Sequence, residues 1–125
     1  GVPVHFAGFV NQSGLSAWYH AADLLLLPSR EMETWGLVVN DALHHGLPAV
    51  VSDAVGCAPD LVLPGCTGEV FAVNEAPALA AALERCMAWA HSSVSLRRVC
   101  RERVALYSVA KAAAGLHEAW QRLSC

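Results

Sequence analysis

The chain has 125 residues, a net charge of −3 and a pI near 6.0, which removes any electrostatic case for binding nucleic acid or an anionic membrane surface. Hydrophobic residues make up 55% and charged ones only 15%, a balance that points to surface meant to be covered by further protein. The cysteines at 57, 66, 86, 100 and 125 form an odd set without C-x-x-C spacing, which argues against a disulfide framework or a zinc site and for reduced thiols of a cytoplasmic protein.

In chain order, Val4 to Val10 reads as a strand, and Ser13 as the N-cap of a helix through Ala22 with Leu15, Tyr19 and Ala22 on one face. Asp23 to Pro28 is a continuous apolar run, the pattern of a strand buried on both faces. A loop of small and charged residues follows from Ser29 to Thr34, and Trp35 or Gly36 opens a helix that runs to Gly46, a natural stop. Leu47 to Ser52 is a further buried strand, Gly56 to Leu63 a short helix, and Pro64-Gly65 a break before a brief strand at Glu69 to Phe71. From Pro77 onward the pattern is helical, with stripes through Leu79, Leu83, Cys86 and Ala90, then Leu96, Val99, Cys100 and Tyr107, then Val109, Ala113, Leu116, Trp120 and Leu123. Short apolar runs alternating with helices mark an α/β module with parallel strands, βα units over residues 3–75 and a helical tail over 77–125.

The segment from Ser29 to Pro48 carries the chemistry. Glu33 stands in the loop at the carboxyl end of a strand, Gly36 at the helix start, and Asp41 roughly 8 Å further along the axis at 1.5 Å per residue. Between the two acids, the free N–H groups of Trp35, Gly36 and Leu37 make an anion site reinforced by the helix dipole. Two hydroxyl-binding carboxylates around a phosphate-binding helix end suit a hexose, a diphosphate and a ribose in that order. Val38, Val39, Ala42 and Leu43 share one side of the helix while Asn40, Asp41 and His44 lie opposite, so Asp41 faces either plain solvent or a ligand. His44 and His45 are neighbours that point about 100° apart on a helix, a poor metal pair, and no metal is expected. Cys57 opens a helix, where a thiol pKa can fall, but nothing near it in sequence resembles a Cys–His nucleophile, and it takes no catalytic role.

The stretch Glu33-Thr-Trp-Gly-Leu-Val-Val-Asn-Asp-Ala-Leu-His-His-Gly-Leu-Pro closely resembles the E-x7-E segment of retaining glycosyltransferases of the family-4 type. Gly8-Phe-Val resembles the turn that precedes it in that family, Tyr19-His-Ala-Ala-Asp-Leu-Leu-Leu-Leu-Pro-Ser the preceding strand, and Gly65-Cys-Thr-Gly-Glu-Val-Phe the following one. The resemblance spans residues 3 to about 85. It implies the carboxy-terminal, nucleotide-sugar-binding half of a two-Rossmann-domain (GT-B) enzyme. By position, Glu33 would contact donor-sugar hydroxyls, the amides at Trp35, Gly36 and Leu37 the sugar and diphosphate, Asp41 the ribose, and Val10 the base. Asp41 stands where the family has Glu, one methylene longer, so its ribose contact would be longer or water-mediated.

In that fold six parallel strands follow the order 3-2-1-4-5-6, of which this chain would supply the third to the sixth. Val4 to Val10 should therefore not lie beside Asp23 to Leu27. The first strands, with an Arg and a Lys that neutralise the leaving diphosphate, and the acceptor domain would lie elsewhere in the parent chain. The resemblance thus implies a hexosyltransferase-type parent needing a nucleoside-diphosphate sugar and no metal or other cofactor. The fragment alone would be inactive and prone to self-association through exposed sheet edge and apolar surface. Peripheral membrane contact stays open. Two other readings stay open as well: a sugar-nucleotide epimerase of the same fold, expected to show its own acid and histidine pattern, and a non-catalytic Rossmann-like nucleotide-binding module.

Overall fold

The computed structural model describes residues 1–31, 33–90 and 95–124. Within these it has helices α1 (Gln12–Ala21), α2 (Leu37–His44), α3 (Ala58–Leu61), α4 (Ala76–Ala90), α5 (Leu96–Ala105) and α6 (Val109–Leu123), and strands β1 (Leu25–Leu27), β2 (Ala49–Ser52) and β3 (Gly68–Phe71). The helical expectation over 91–94 and at Cys125 lies outside the described residues.

The strands form one parallel sheet in the order β1-β2-β3, with Leu26 opposite Val50 and Val50 opposite Glu69. Parallel neighbours need crossovers, and α2 and α3 supply them. The period of two along β2 divides the core. Ala49 and Val51 face Val39 and Leu43 of α2, Leu61 of α3, and Leu96, Cys100 and Val104 of α5, whereas Val50 faces Phe71 and, on α4, Ala82 and Cys86. All four residues of β2 are buried, as a continuous apolar run in a central parallel strand requires.

β1 departs from that pattern. Leu25 and Leu27 pack on the α2 side, but Leu26 is exposed, since α4 packs mainly on β3 and β2. The expected burial of 23–28 on both faces therefore holds for one face only. The expected strand at Val4 to Val10 is coil: no described strand pairs with it, and an extended segment without a ladder is not a strand. It forms no ladder with β1. Asn11, not Ser13, occupies the N-cap of α1, and Ser13 lies inside the helix.

Helix ends follow local chemistry. α2 ends through Gly46, whose N–H bonds to the Leu43 carbonyl. Pro77 stands in the first turn of α4, where a missing N–H costs nothing. The Ser108 hydroxyl caps α6 by accepting from the Lys111 N–H at 3.3 Å. The expected stripes on α4 and α5 pack inward, but the stripe on α6 is uncovered, and neither α1 nor α6 contains a buried residue. Among the described residues no helix is long and apolar enough to cross a membrane.

Candidate functional site

The site lies off the carboxyl ends of the parallel strands, where open α/β sheets meet their ligands. Glu33 follows β1 and is held in extended form by a bridge to Val55, the first residue after the β2 turn to be fully covered. Its N–H donates to the Ala54 carbonyl at 3.1 Å and its carbonyl accepts from Gly56 at 2.8 Å, so the backbone is fixed while the side chain stays exposed. Gly56 permits this approach, since a β-carbon there would lie 2.1 Å from the Thr34 carbonyl oxygen.

Next comes the turn into α2. Gly36 takes φ 93° and ψ 60°, a left-handed conformation, and a β-carbon on it would meet Val55 Cγ1 at 2.9 Å. The helix therefore opens at Leu37 with Gly36 as its cap, one or two residues later than the start at Trp35 or Gly36 given by the sequence pattern. Among the described residues no carbonyl accepts from the N–H groups of Trp35, Gly36 or Leu37. These three donors stand at the positive end of the helix, at the place where the sequence put an anion site.

Asp41 is exposed on the face of α2 away from the sheet, as the spacing implied, with His44 beside it. Burial first, and the nearby Asp41 carboxylate second, raise the Tyr19 hydroxyl above its ordinary 10.0, so α1 comes up against this face. The Tyr19 ring stacks on His45 at 5.0 Å, and His20 and His44 meet the same ring edge-on at 5.1 and 5.7 Å. Both ring nitrogens of His45 are engaged, Nδ1 with the Asp41 carbonyl at 2.8 Å and Nε2 with the Ser16 hydroxyl at 3.1 Å. This histidine cluster joins α1 to α2, and among the described residues no group of metal-binding side chains is found.

A cavity of about 790 Å³ is lined by Ser29, Arg30, Glu31, Glu33 and Asn74, within the size range of small-molecule sites. Its wall is stitched across the strand ends. The Ser52 hydroxyl donates to the Ser29 carbonyl at 2.6 Å, and Arg30 Nε donates to Asn74 Oδ1 at 3.1 Å. Asn74 has φ 64°, and Asp53 Oδ1 accepts from the neighbouring Val73 N–H at 2.8 Å. Arg30 and Asn74 carried no signal in the sequence, because the loops after β1 and β3 meet only once the sheet forms.

The structure brings Glu33, Trp35, Gly36 and Leu37 together around one turn and sets Asp41 further along the same helix. Val10 lies in the coil before α1, half-buried, and is not among the residues lining the cavity at Glu33. One side chain corrects the sequence reading. Asn40 does not share the water-facing side with Asp41, because its Oδ1 accepts from the Trp35 indole N–H at 2.7 Å and it is half-buried. The thiol of Cys57 is buried, and burial pushes its pKa up to about 11, so it is no nucleophile.

Comparison with known proteins agrees with this architecture. Residues 1–88 match the family model described as glycosyl transferases group 1. Over 74 residues the chain is 40% identical to the sulfoquinovosyl transferase of Arabidopsis thaliana, covering 57% of this chain and 14% of that protein. Over 82 residues it is 40% identical to the D-inositol 3-phosphate glycosyltransferase of Streptomyces griseus, covering 66% of this chain and 17% of that one. The chain thus spans under a quarter of the length of these relatives. Sucrose-phosphate synthase of Thermosynechococcus elongatus superposes with a TM-score of 0.79 at 32% identity, over 95% of this chain and 30% of that structure.

Proposed function

The chain belongs to the glycosyl transferases group 1 family, its sheet and flanking helices being part of a GT-B fold, and from that premise we propose that it is the donor-binding part of a retaining, family-4-type hexosyltransferase. The parent enzyme moves a sugar from a nucleoside diphosphate to an acceptor held by the other domain. The observation that carries this reading is the turn at Gly36. Three N–H groups with no carbonyl partner among the described residues lie between an exposed carboxylate at a large cavity, Glu33, and a second exposed carboxylate on the helix that follows, Asp41.

Each group then has a task. Glu33 accepts from donor-sugar hydroxyls in the cavity. The amides of Trp35, Gly36 and Leu37 take the diphosphate, and being already aimed they stabilise charge on the leaving nucleotide without rearranging. Asp41 accepts from the ribose hydroxyls, and Val10 borders the base. No metal is needed for charge that amides and the parent's cations neutralise. Catalysis rests on positioning and on electrostatic stabilisation of an oxocarbenium-like transition state. By itself the 125-residue chain lacks the acceptor half and transfers nothing. We place the parent in the cytoplasm, with contact at a membrane surface left to its other domain. The similar proteins are named as transferases or a synthase, which favours transfer over epimerisation or bare nucleotide binding.

The test is calorimetric titration of the full-length parent with UDP, GDP and ADP. One of them is expected to bind tightly, and Asp41→Ala to weaken it roughly ten-fold, the loss of charge-assisted hydrogen bonds. Asp41→Glu should bind as well as wild type or better. Unchanged affinity in Asp41→Ala removes Asp41 from the site, and no binding of any nucleotide removes the reading.

A further inference from the structure

We infer that Asn40 is a positioning residue for the donor-binding amide of Trp35, acting through the Trp35 indole. This rests on the donor-site reading above and goes beyond it, since neither Asn40 nor the Trp35 side chain has a place there.

Trp35 contributes its backbone to the site and sends its side chain the other way. Its carbonyl accepts from the Cys57 N–H at 2.9 Å, which fixes the peptide on one side. Its indole N–H donates to Asn40 Oδ1 at 2.7 Å, across the first turn of α2. Its ring meets Tyr107, in the turn after α5, at 6.0 Å, and the Tyr107 hydroxyl is itself held by Asp60 at 3.1 Å. Around this strut the packing is open. A cavity of about 390 Å³ is lined by Trp35, Leu37 and Asn40 on one side and by Tyr107, Ser108 and Lys111 on the other. Close packing therefore does not fix the indole on that side; the hydrogen bond to Asn40 does. The peptides that carry the Gly36 and Leu37 N–H groups are fixed through the Trp35 and Gly36 carbonyls, which accept from Cys57 and Val39 at 2.9 Å, so the hold on the indole bears on the Trp35 N–H.

The chemistry gives a distinctive test. Losing one partner leaves the other polar group partly buried and unsatisfied, whereas replacing both by apolar groups of similar shape is close to neutral. In the full-length parent, Asn40→Leu and Trp35→Phe should each raise the dissociation constant of the bound nucleoside diphosphate roughly five-fold, and the double variant should return to within about two-fold of wild type. A merely structural role would show that pattern in unfolding stability and leave the nucleotide dissociation constant of the folded single variants unchanged. Singles that leave nucleotide affinity unchanged, while Asp41→Ala weakens it, overturn the inference and leave the donor site intact. So do singles whose losses add in the double variant. If Asp41→Ala also changes nothing, the donor-site reading falls and takes this inference with it.

Discussion

The middle of the chain and its two ends obey the same sequence rules with opposite results. Between residues 33 and 71, Val39, Ala42, Leu43, Ala49, Val50 and Val51 are all at 0% exposure, packed among α2, α3, β2, α4 and α5. At the ends, Phe6 and Phe9 are 90% and 96% exposed, and the α6 stripe leaves Leu116 and Trp120 at 74% and 70%. The α6 stripe is as regular as that of α2. Periodicity therefore says which face of an element is apolar, and only a second element converts that face into core. The Gly36 turn falls in this region, whose core α4 and α5 complete without the exposed ends.

Leu43→Ala should separate the two regions most sharply. The side chain is fully buried between α2, β2 and α5, and its loss should cost about 2–5 kcal/mol in urea unfolding. A cost under about 1 kcal/mol would mean that the middle is not the core it looks to be. Gly36→Ala comes next. A left-handed backbone costs an L-residue about 1–2 kcal/mol, and the contact with Val55 adds to it, so a drop of about 2 kcal/mol or more is expected, with nucleotide binding weakened further than unfolding accounts for. Leu116→Ala should do least, within about 0.5 kcal/mol for the 125-residue chain. The same substitution in the full-length parent sharpens the comparison, because a clearly larger cost there would mean that the α6 stripe is covered.

Much of the site was legible because its parts are close in sequence. Glu33, Gly36 and Asp41 sit on one loop and one helix, and local geometry carries them from spacing to space. What escaped the sequence depends on partners far along the chain. Asn40 reads as a solvent-facing residue until the indole of Trp35, itself held against Tyr107, turns back on it. Arg30 and Asn74 meet only because the parallel strands β1 and β3 both end at the carboxyl end of the sheet. The misread strand at Val4 to Val10 has the same origin, since its apolar residues describe a strand's side chains and say nothing of a neighbour to bond with. Leu26 repeats the lesson on one face of β1.

By itself, the sequence determined the run of βα units, the buried character of β2, the stop at Gly46 and the two acids around a helix start. All of these follow from propensity, from periods of 2 and 3.6, and from glycine's backbone freedom, which act over a few residues. Only the tertiary structure decided which apolar faces are covered, which loops wall the cavity at Glu33, and what holds the amides of the Gly36 turn in place. Burial and hydrogen bonding between distant segments depend on how the sheet and helices assemble, and no local pattern encodes that assembly.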